Sequence, residues 1–399
     1  MRVLVLTPVY PHPNNPTEGL FNEQHALALK THGVDVTVVL CKQWLPGGIA
    51  RVWRRYRFLA DLPRVETRNG IRVVLARYIH VPKYRLPTIT VGSCARSIQH
   101  ATEPLQSGNP FDVIQVHSVW QVGLAAPKVA KRLGRPFVVT LHIEDDPRML
   151  ATARGVRLHE AMCRQASALV AVGTPLEQAF RRALPAALGV RVRRIPNGVD
   201  LELIGRLAAD LPGSTRGYCR IVSVCNLWPT KGIDLNLKAL GFLQAGGIRD
   251  WHYTVVGDGP ERPKLESMAA RLGIKDRVHF TGRLSHQDAI KAIMEADVFS
   301  LPSRKESFGV VYLEAMACGK PVIGCSGTGA ADIIVDKENG MLIPPEDVQS
   351  LAEAFAALNR NRSLGISMGY AGRQRVRDFT WDRTALSYLD LYGRVLAGV

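Results

Sequence analysis

Ser303-Arg304-Lys305-Glu306-Ser307-Phe308-Gly309-Val310-Val311-Tyr312-Leu313-Glu314-Ala315-Met316 is the stretch on which the reading of the fold turns. A strand-like run, Ala296 to Leu301, leads into it, and a helical pattern follows from Val310 to Cys318. Gly319-Lys320-Pro321 stops that helix, and Val322-Ile323-Gly324 reads as the next strand. Glu306 therefore falls in a polar loop and Glu314 about one turn into the helix. The first N–H groups of a helix have no intrahelical acceptor, so those of Phe308, Gly309 and Val310 suit an anion. Two glutamates beside that end would repel a phosphate and are better used on sugar hydroxyls. A diphosphate flanked by two sugars, the form of a nucleotide-sugar, meets all of these demands.

The same alternation continues on both sides. Downstream of residue 200, strand Ile221 to Cys225 leads to Asn226-Leu227-Trp228-Pro229-Thr230-Lys231-Gly232, and Lys231 is placed to neutralise a diphosphate as a mobile point charge. Val255-Val256-Gly257-Asp258-Gly259-Pro260 is a second strand-to-helix turn. Neither glycine pair fits the dinucleotide fingerprint, so no nicotinamide cofactor is indicated. Upstream, Val3 to Leu6 and Val36 to Leu40 read as strands around a helix from Leu20 to His32, with a long loop from Pro8 to Glu18 that ends at Gly19. Further strands are expected at Val113–Val116, Phe137–Leu141, Leu169–Val172 and Val192–Ile195. His117 and His142 end two of them, so both should face the same cleft. The order predicts doubly wound parallel sheets, whose ligands lie beyond the carboxyl ends of the strands.

Length and composition agree. The 399 residues exceed one ordinary core, and 46% hydrophobic with 22% charged residues suits a folded globular chain. No apolar run approaches the roughly 20 residues needed to span a bilayer, and scattered cysteines suit reduced thiols in a cytoplasmic protein, which is the expected location. The seven cysteines contain no C-x-x-C pair, so free thiols are expected rather than a zinc site. Of the net charge of +16, most falls in residues 1–200, with 27 Lys and Arg against 13 Asp and Glu. Such a basic half attracts nucleic acid, anionic lipid or an anionic substrate. Residues 42–90 are less regular, with Trp44, Trp53, Tyr56, Phe58 and Leu59 among Arg51, Arg54, Arg55 and Arg57. That mixture suits either a membrane interface or a packed insertion with a basic rim. No nucleic-acid motif accompanies it.

Glu306, Phe308, Gly309 and Glu314 resemble the E-x7-E region of the retaining GT-B glycosyltransferases, family 4 in particular. The resemblance runs along nearly the whole chain through Thr140-Leu141-His142, Pro196-Asn197-Gly198-Val199-Asp200, Lys231, Val256-Gly257-Asp258-Gly259-Pro260 and Val278-His279-Phe280-Thr281-Gly282. It departs at Ile143, where a glycine is usual, at Cys225-Asn226, where Gly-Arg is usual, and at Ala331-Asp332, where Pro-Glu is usual. The missing arginine leaves Asn226 with neutral hydrogen bonds only and puts more weight on Lys231.

The resemblance implies a GT-B fold: two Rossmann-like domains facing a cleft. The boundaries expected are an acceptor domain at 1–200, a linker at 201–217, a donor domain at 218–379, and a final helix at 380–399 packed back on the first domain. It implies transfer of a sugar, with retention, from a UDP- or GDP-sugar to a glycan or lipid-linked acceptor in surface-polysaccharide assembly, with peripheral membrane contact an option. His142 and Glu306 are then the catalytic candidates. Gly19, Asn226, Lys231, Ser307, Phe308, Gly309, Val310 and Glu314 are the donor-binding candidates. No cofactor and no metal are expected, since no D-x-D triplet is present. Other readings are a GT-B epimerase or phosphorylase, a DNA-modifying transferase, or a non-catalytic sugar- or membrane-binding module.

Overall fold

The computed structural model describes residues 1–45, 57–81, 86–106, 108–142, 152–183, 192–209 and 218–398. It divides into two compact units, Met1–Pro196 with Trp381–Val399, and Asn197–Thr380. In the first unit the strands are β1 (Arg2–Thr7), β2 (Asp35–Trp44), β3 (Val65–Arg68), β4 (Ile71–Ile79), β5 (Val113–His117), β6 (Phe137–Leu141), β7 (Ala168–Ala171) and β8 (Val192–Arg194). They form one sheet in the order β3-β4-β2-β1-β5-β6-β7-β8, parallel except for the antiparallel edge pair β3–β4. Every residue of β5, β6 and β7 is buried. That is why these strands read as apolar runs rather than alternating ones.

The second unit holds β9 (Cys219–Val224), β10 (Trp251–Val256), β11 (Val278–Gly282), β12 (Val298–Ser300), β13 (Val322–Cys325) and β14 (Gly340–Ile343). Their order is β11-β10-β9-β12-β13-β14, all parallel. Strand order reverses between β1 and β5 in the first sheet and between β9 and β12 in the second. Loops leaving the carboxyl ends at those two points diverge and open a crevice. The loops so placed are those before Gly19, around His117, around Lys231 and around Glu306.

The last helix, Trp381–Ala397, covers one face of the first sheet together with the helix Leu20–Thr31. Trp381, Ala385, Tyr388, Leu391 and Tyr392 join Val3, Val5, Val113 and Val138 in a shared core. A buried polar seam crosses that core. Gln115 Nε2 donates to Thr140 Oγ1 at 2.6 Å, the Tyr388 hydroxyl meets the same Oγ1 at 2.7 Å, and the Tyr392 hydroxyl donates to Gln115 Oε1 at 2.9 Å. Burial raises both tyrosines above their ordinary range, so they stay neutral.

Two expectations change. The described parts of residues 42–90 are more regular than their sequence suggests: β2 runs on to Trp44, and β3 and β4 form a hairpin. Asn69 (φ 50°) and Gly70 (φ 71°) both sit in the left-handed region, the type I′ geometry that an Asn-Gly pair favours between two strands. The proposed linker 201–217 also begins with structure. Leu201–Ala209 is a helix, started by Asp200 Oδ1 accepting the Leu203 N–H at 2.8 Å. Residues 210–217 lie outside the described residues. So do Arg51, Trp53, Arg54, Arg55 and Tyr56 of the aromatic and basic stretch. Of the remainder, Trp44 is 47% exposed, Leu59 is buried, and Phe58 stacks on His12 with ring centroids 5.3 Å apart. All seven cysteines are free.

In the second unit Asn236 ties the helix Ile233–Ala245 to three strands. Its Nδ2 donates to Ser223 Oγ (3.1 Å) and Tyr253 OH (2.9 Å), and its Oδ1 accepts from Ser300 Oγ (2.8 Å). Asn236→Leu should cost about 1–3 kcal/mol, because buried hydroxyls are left short of partners while volume is kept. Urea unfolding of the variant measures it, and an unchanged midpoint would remove the network from the stability of this unit.

Candidate functional site

Three loops meet at the carboxyl ends of β9, β12 and β13. The loop after β9 carries Lys231 on a single 3-10 turn, Pro229–Lys231, that ends at Gly232. A Cβ on Gly232 would lie 2.1 Å from the Pro302 carbonyl oxygen, so only glycine lets this loop press on the loop after β12. Arg304 then clamps the two. Its N–H donates to the Thr230 carbonyl at 2.8 Å, and its guanidinium makes two bonds to Asp234, at 2.7 and 2.9 Å. Glu346 accepts from the same guanidinium. Burial alone would push the Asp234 carboxyl up, but the Arg304 guanidinium reverses this and holds it below its usual range.

The third loop, Gly327-Thr328-Gly329 after β13, supports the second from behind. The Gly329 N–H donates to the Glu306 carbonyl at 2.8 Å, and a Cβ there would come within 2.4 Å of the Ser307 carbonyl carbon. The result is a fixed segment, Ser307 to Val310, entering the helix Val310–Ala317 through Gly309 at φ 94°. The backbone N–H groups of Ser307, Phe308, Gly309 and Val310 have no acceptor among the described residues. Phe308 faces inward and is buried.

Lys231 and Glu306 come together directly. Lys231 Nζ donates to Glu306 Oε2 at 2.8 Å, and Ser303 Oγ lies 3.5 Å from the same oxygen. Both side chains remain partly open, at 24% and 12%. The ammonium thus stands beside four free N–H groups, a place for an anion, while the carboxylate keeps Oε1 for a hydroxyl. Asn226 is nearby in the chain and exposed, and its carbonyl accepts the Trp228 N–H at 2.8 Å.

Glu314 has a partner that the sequence reasoning missed. His286 Nε2, at the start of the helix His286–Glu295, lies 2.7 Å from Glu314 Oε1. Burial would lower the His286 imidazole, but the Glu314 carboxylate, with Asp200 behind it, raises it above its ordinary value. The signal available was Ser285 ahead of His286, an N-cap that puts the histidine in the first turn, though spacing alone does not aim it at Glu314.

In the first unit Gly19 (φ 67°) caps the helix Leu20–Thr31, and a Cβ there would meet the Val9 carbonyl oxygen at 2.4 Å. Asn22 Nδ2 holds the same loop by bonds to Thr7 Oγ1 and the Val9 carbonyl, both 2.9 Å. Glu18 and Lys42 pair at 2.9 Å, with His12 on the other carboxylate oxygen at 2.7 Å. His142 follows β6, with its Nε2 2.9 Å from His117 Nδ1, and Phe21 packs on its ring at 4.5 Å. Glu144, Asp145, Asp146 and Ile143 lie outside the described residues.

Comparison with known proteins fits this geometry. Residues 214–375 match the family described as glycosyl transferases group 1, and residues 19–203 match glycosyltransferase family 4. A D-inositol 3-phosphate glycosyltransferase from Saccharomonospora viridis is 30% identical over 74% of this chain and 73% of its own. The putative teichuronic acid biosynthesis glycosyltransferase TuaC of Bacillus subtilis is 27% identical over 89% of this chain and 88% of its own. Among solved structures, sucrose-phosphate synthase from Thermosynechococcus elongatus superposes with a TM-score of 0.77 at 21% identity, covering 100% of both chains. Anabaena HepE in complex with UDP-glucose does so with a TM-score of 0.71 at 19% identity, again over 100% of both. The fold is GT-B, and the protein is an enzyme of the hexosyltransferase class. It belongs to glycosyltransferase family 4.

Two tests bear on this site. Gly329→Ala should destabilise the second unit by about 1–3 kcal/mol, because the added methyl meets backbone that cannot swing aside. Thermal unfolding checks it, and a wild-type Tm would show that the loop yields freely. The His286–Glu314 pair sets a pH dependence. Its imidazole is raised in the folded state, so the stabilisation is complete below the unfolded value of about 6.5. It is lost as pH rises through the higher folded value. Comparing wild type with His286→Gln by denaturant titration across this window should show the wild-type advantage shrinking with rising pH. A constant difference would mean the ring does not titrate against Glu314.

Proposed function

We propose that this chain transfers a hexose, with retention, from a nucleoside-diphosphate-sugar held by the second unit. The observation that carries the reading is the juxtaposition of the unpaired Ser307–Val310 N–H groups with the Lys231 ammonium. Together they suit a diphosphate, and as the glycosidic bond breaks they stabilise the leaving charge without reorganising. Lys231 exchanges its bond to Glu306 for one to phosphate, which frees Glu306 for a hydroxyl of the sugar ring. Glu314, a helical turn deeper and oriented by His286, takes the ribose hydroxyls. Asn226 offers neutral contacts where other members carry arginine, and Gly19 keeps the first loop close to the sheet edge. His142, in the first unit, is the remaining catalytic candidate. No metal or cofactor enters this reading, because fixed dipoles and one ammonium take the charge.

UDP is the nucleotide the reading favours, since HepE is described with UDP and with UDP-glucose. An anionic acceptor suits the 27 Lys and Arg against 13 Asp and Glu in residues 1–200. The names of two relatives, one acting on an inositol phosphate and one in teichuronic acid synthesis, support the same chemistry. A lipid-linked or polysaccharide acceptor at the cytoplasmic face of a membrane is the setting proposed. No helix among the described residues is long and apolar enough to cross that membrane.

The test is thermal-shift screening against UDP-, GDP- and ADP-sugars in EDTA, followed by kinetics on three variants. Ligand at 100 times its Kd should stabilise by about 2.7 kcal/mol. Lys231→Ala should weaken donor binding by about 1.5–3 kcal/mol, a charge-assisted contact. Glu306→Gln should depress kcat, because the ring hydroxyls become more acidic as the transition state forms. Glu314→Gln should chiefly raise the donor KM, because ribose does not react. No shift with any nucleotide-sugar, or wild-type kinetics in all three variants, would overturn the assignment.

A further inference from the structure

Three imidazoles stand in a row inside the first unit. His25 comes from the helix Leu20–Thr31, His117 from the end of β5, and His142 from the end of β6. His25 Nδ1 is 3.2 Å from His117 Nε2, and His117 Nδ1 is 2.9 Å from His142 Nε2. His25 and His117 are each only 3% exposed. The rings do not converge on a common point, and no group of three His, Cys, Asp or Glu among the described residues could hold a metal. The row is therefore a hydrogen-bond chain rather than a ligand set.

Its members are neutral. Burial pushes His25 and His142 down to about 3 and His117 well below its ordinary value, with the neighbouring rings adding to the effect on the last two. A neutral imidazole has one N–H and one lone pair. Two contacts between three such rings can then be satisfied in only two ways, both cooperative along the row. Either every Nδ1 carries the hydrogen and donates toward His142, or every Nε2 carries it and donates toward His25.

The far end decides between them. His25 Nε2 is buried and has no partner among the described residues. In the second arrangement that atom is an orphaned N–H in the core, and such donors are rarer in folded proteins than unfilled acceptors. The nearest ring, Tyr388, has its centroid 4.3 Å from that of His25 at an interplanar angle of 43°, which offers at most a weak N–H to π contact. In the first arrangement Nε2 keeps only a lone pair. We infer that His25 and His117 act as positioning residues that hold His142 in the tautomer with its hydrogen on Nδ1.

The consequence is chemical. With Nε2 occupied by the His117 N–H, His142 has no free lone pair and cannot take a proton. It presents a single N–H at Nδ1, which has no partner among the described residues. On the proposed function, which this inference deepens, that N–H donates to an oxygen of the substrate. His142 then stabilises developing negative charge and is not a general base. Neither His25 nor His117 touches substrate.

Long-range 1H–15N NMR of histidine-labelled, ligand-free enzyme reads the tautomer of each ring, with a His142→Gln spectrum for assignment. The expected wild-type result is a protonated Nδ1 and bare Nε2 on His142. His25→Phe removes the first donor and should shift His142 toward the Nε2–H form. It should also lower kcat on the order of tenfold, the loss of one aligned hydrogen bond, with little change in donor KM. His25→Asn, whose amide nitrogen can occupy the Nδ1 position, should restore both. Circular dichroism controls for folding. A wild-type His142 protonated on Nε2, a pattern unmoved by His25→Phe, or an unchanged kcat in that variant would each overturn the inference. If the tautomers behave as expected but no nucleotide-sugar is turned over, the functional reading fails and the relay stands.

Discussion

Backbone pressed on backbone is the constraint from which the donor-side architecture follows. Where strand order reverses between β9 and β12, the two departing loops meet main chain to main chain, Gly232 against Pro302, and the loop after β13 presses Gly329 on Ser307 in the same way. A Cβ has no room at those two contacts, so the polar groups that meet there are N–H and C=O. The carbonyls are used inward, Thr230 to Arg304 and Glu306 to Gly329, leaving a run of N–H groups outward. An electropositive backbone surface is the consequence of tight packing, with the Lys231 ammonium added through its bond to Glu306. The Arg304 bridge to Asp234 and Glu346 ties the two loops together, and Asp234 is held in addition by Lys238 at 3.2 Å.

Much of this was legible because local rules and the global fold agree. The E-x7-E spacing, the glycine before Val310 and the stop at Gly319 place both glutamates correctly with respect to the helix. Lys231 was legible as a loop cation, but its bond to Glu306 joins residues 75 apart in sequence, and no periodicity encodes that. The His286 bond to Glu314 and the His25 bond to His117 were missed for the same reason: each depends on how a helix is turned against its neighbour, a second helix in the one case and the end of β5 in the other. The β3–β4 hairpin is a different kind of miss. Asn69-Gly70 between two alternating runs is a strong local signal, and it was obscured by the tryptophans and arginines that precede it.

The two units solve one problem differently. In the second, polar side chains beneath the sheet ends are satisfied by neighbours on adjacent strands, with Asn236 as the hub. In the first, the row formed by Gln115, His117, Thr140 and the half-buried His142 runs along two neighbouring strands and just past the end of one. It is completed by helices from opposite ends of the chain, Leu20–Thr31 and Trp381–Ala397. A polar seam of this kind contributes specificity, because only a helix with tyrosines in the right register can close it.

That closure has a temporal side. The first unit is discontinuous: its sheet is complete by β8, yet the helix that supplies Tyr388 and Tyr392 comes only after the whole second unit. On a ribosome adding about 5–20 residues per second, the sheet waits on the order of ten seconds or more for its cover. Through that interval Gln115 and Thr140 lack their tyrosine partners, and the apolar face around Val3, Val113 and Val138 lacks the rings that shield it. The nascent chain is thus open to chaperones, and to aggregation, until its last helix emerges.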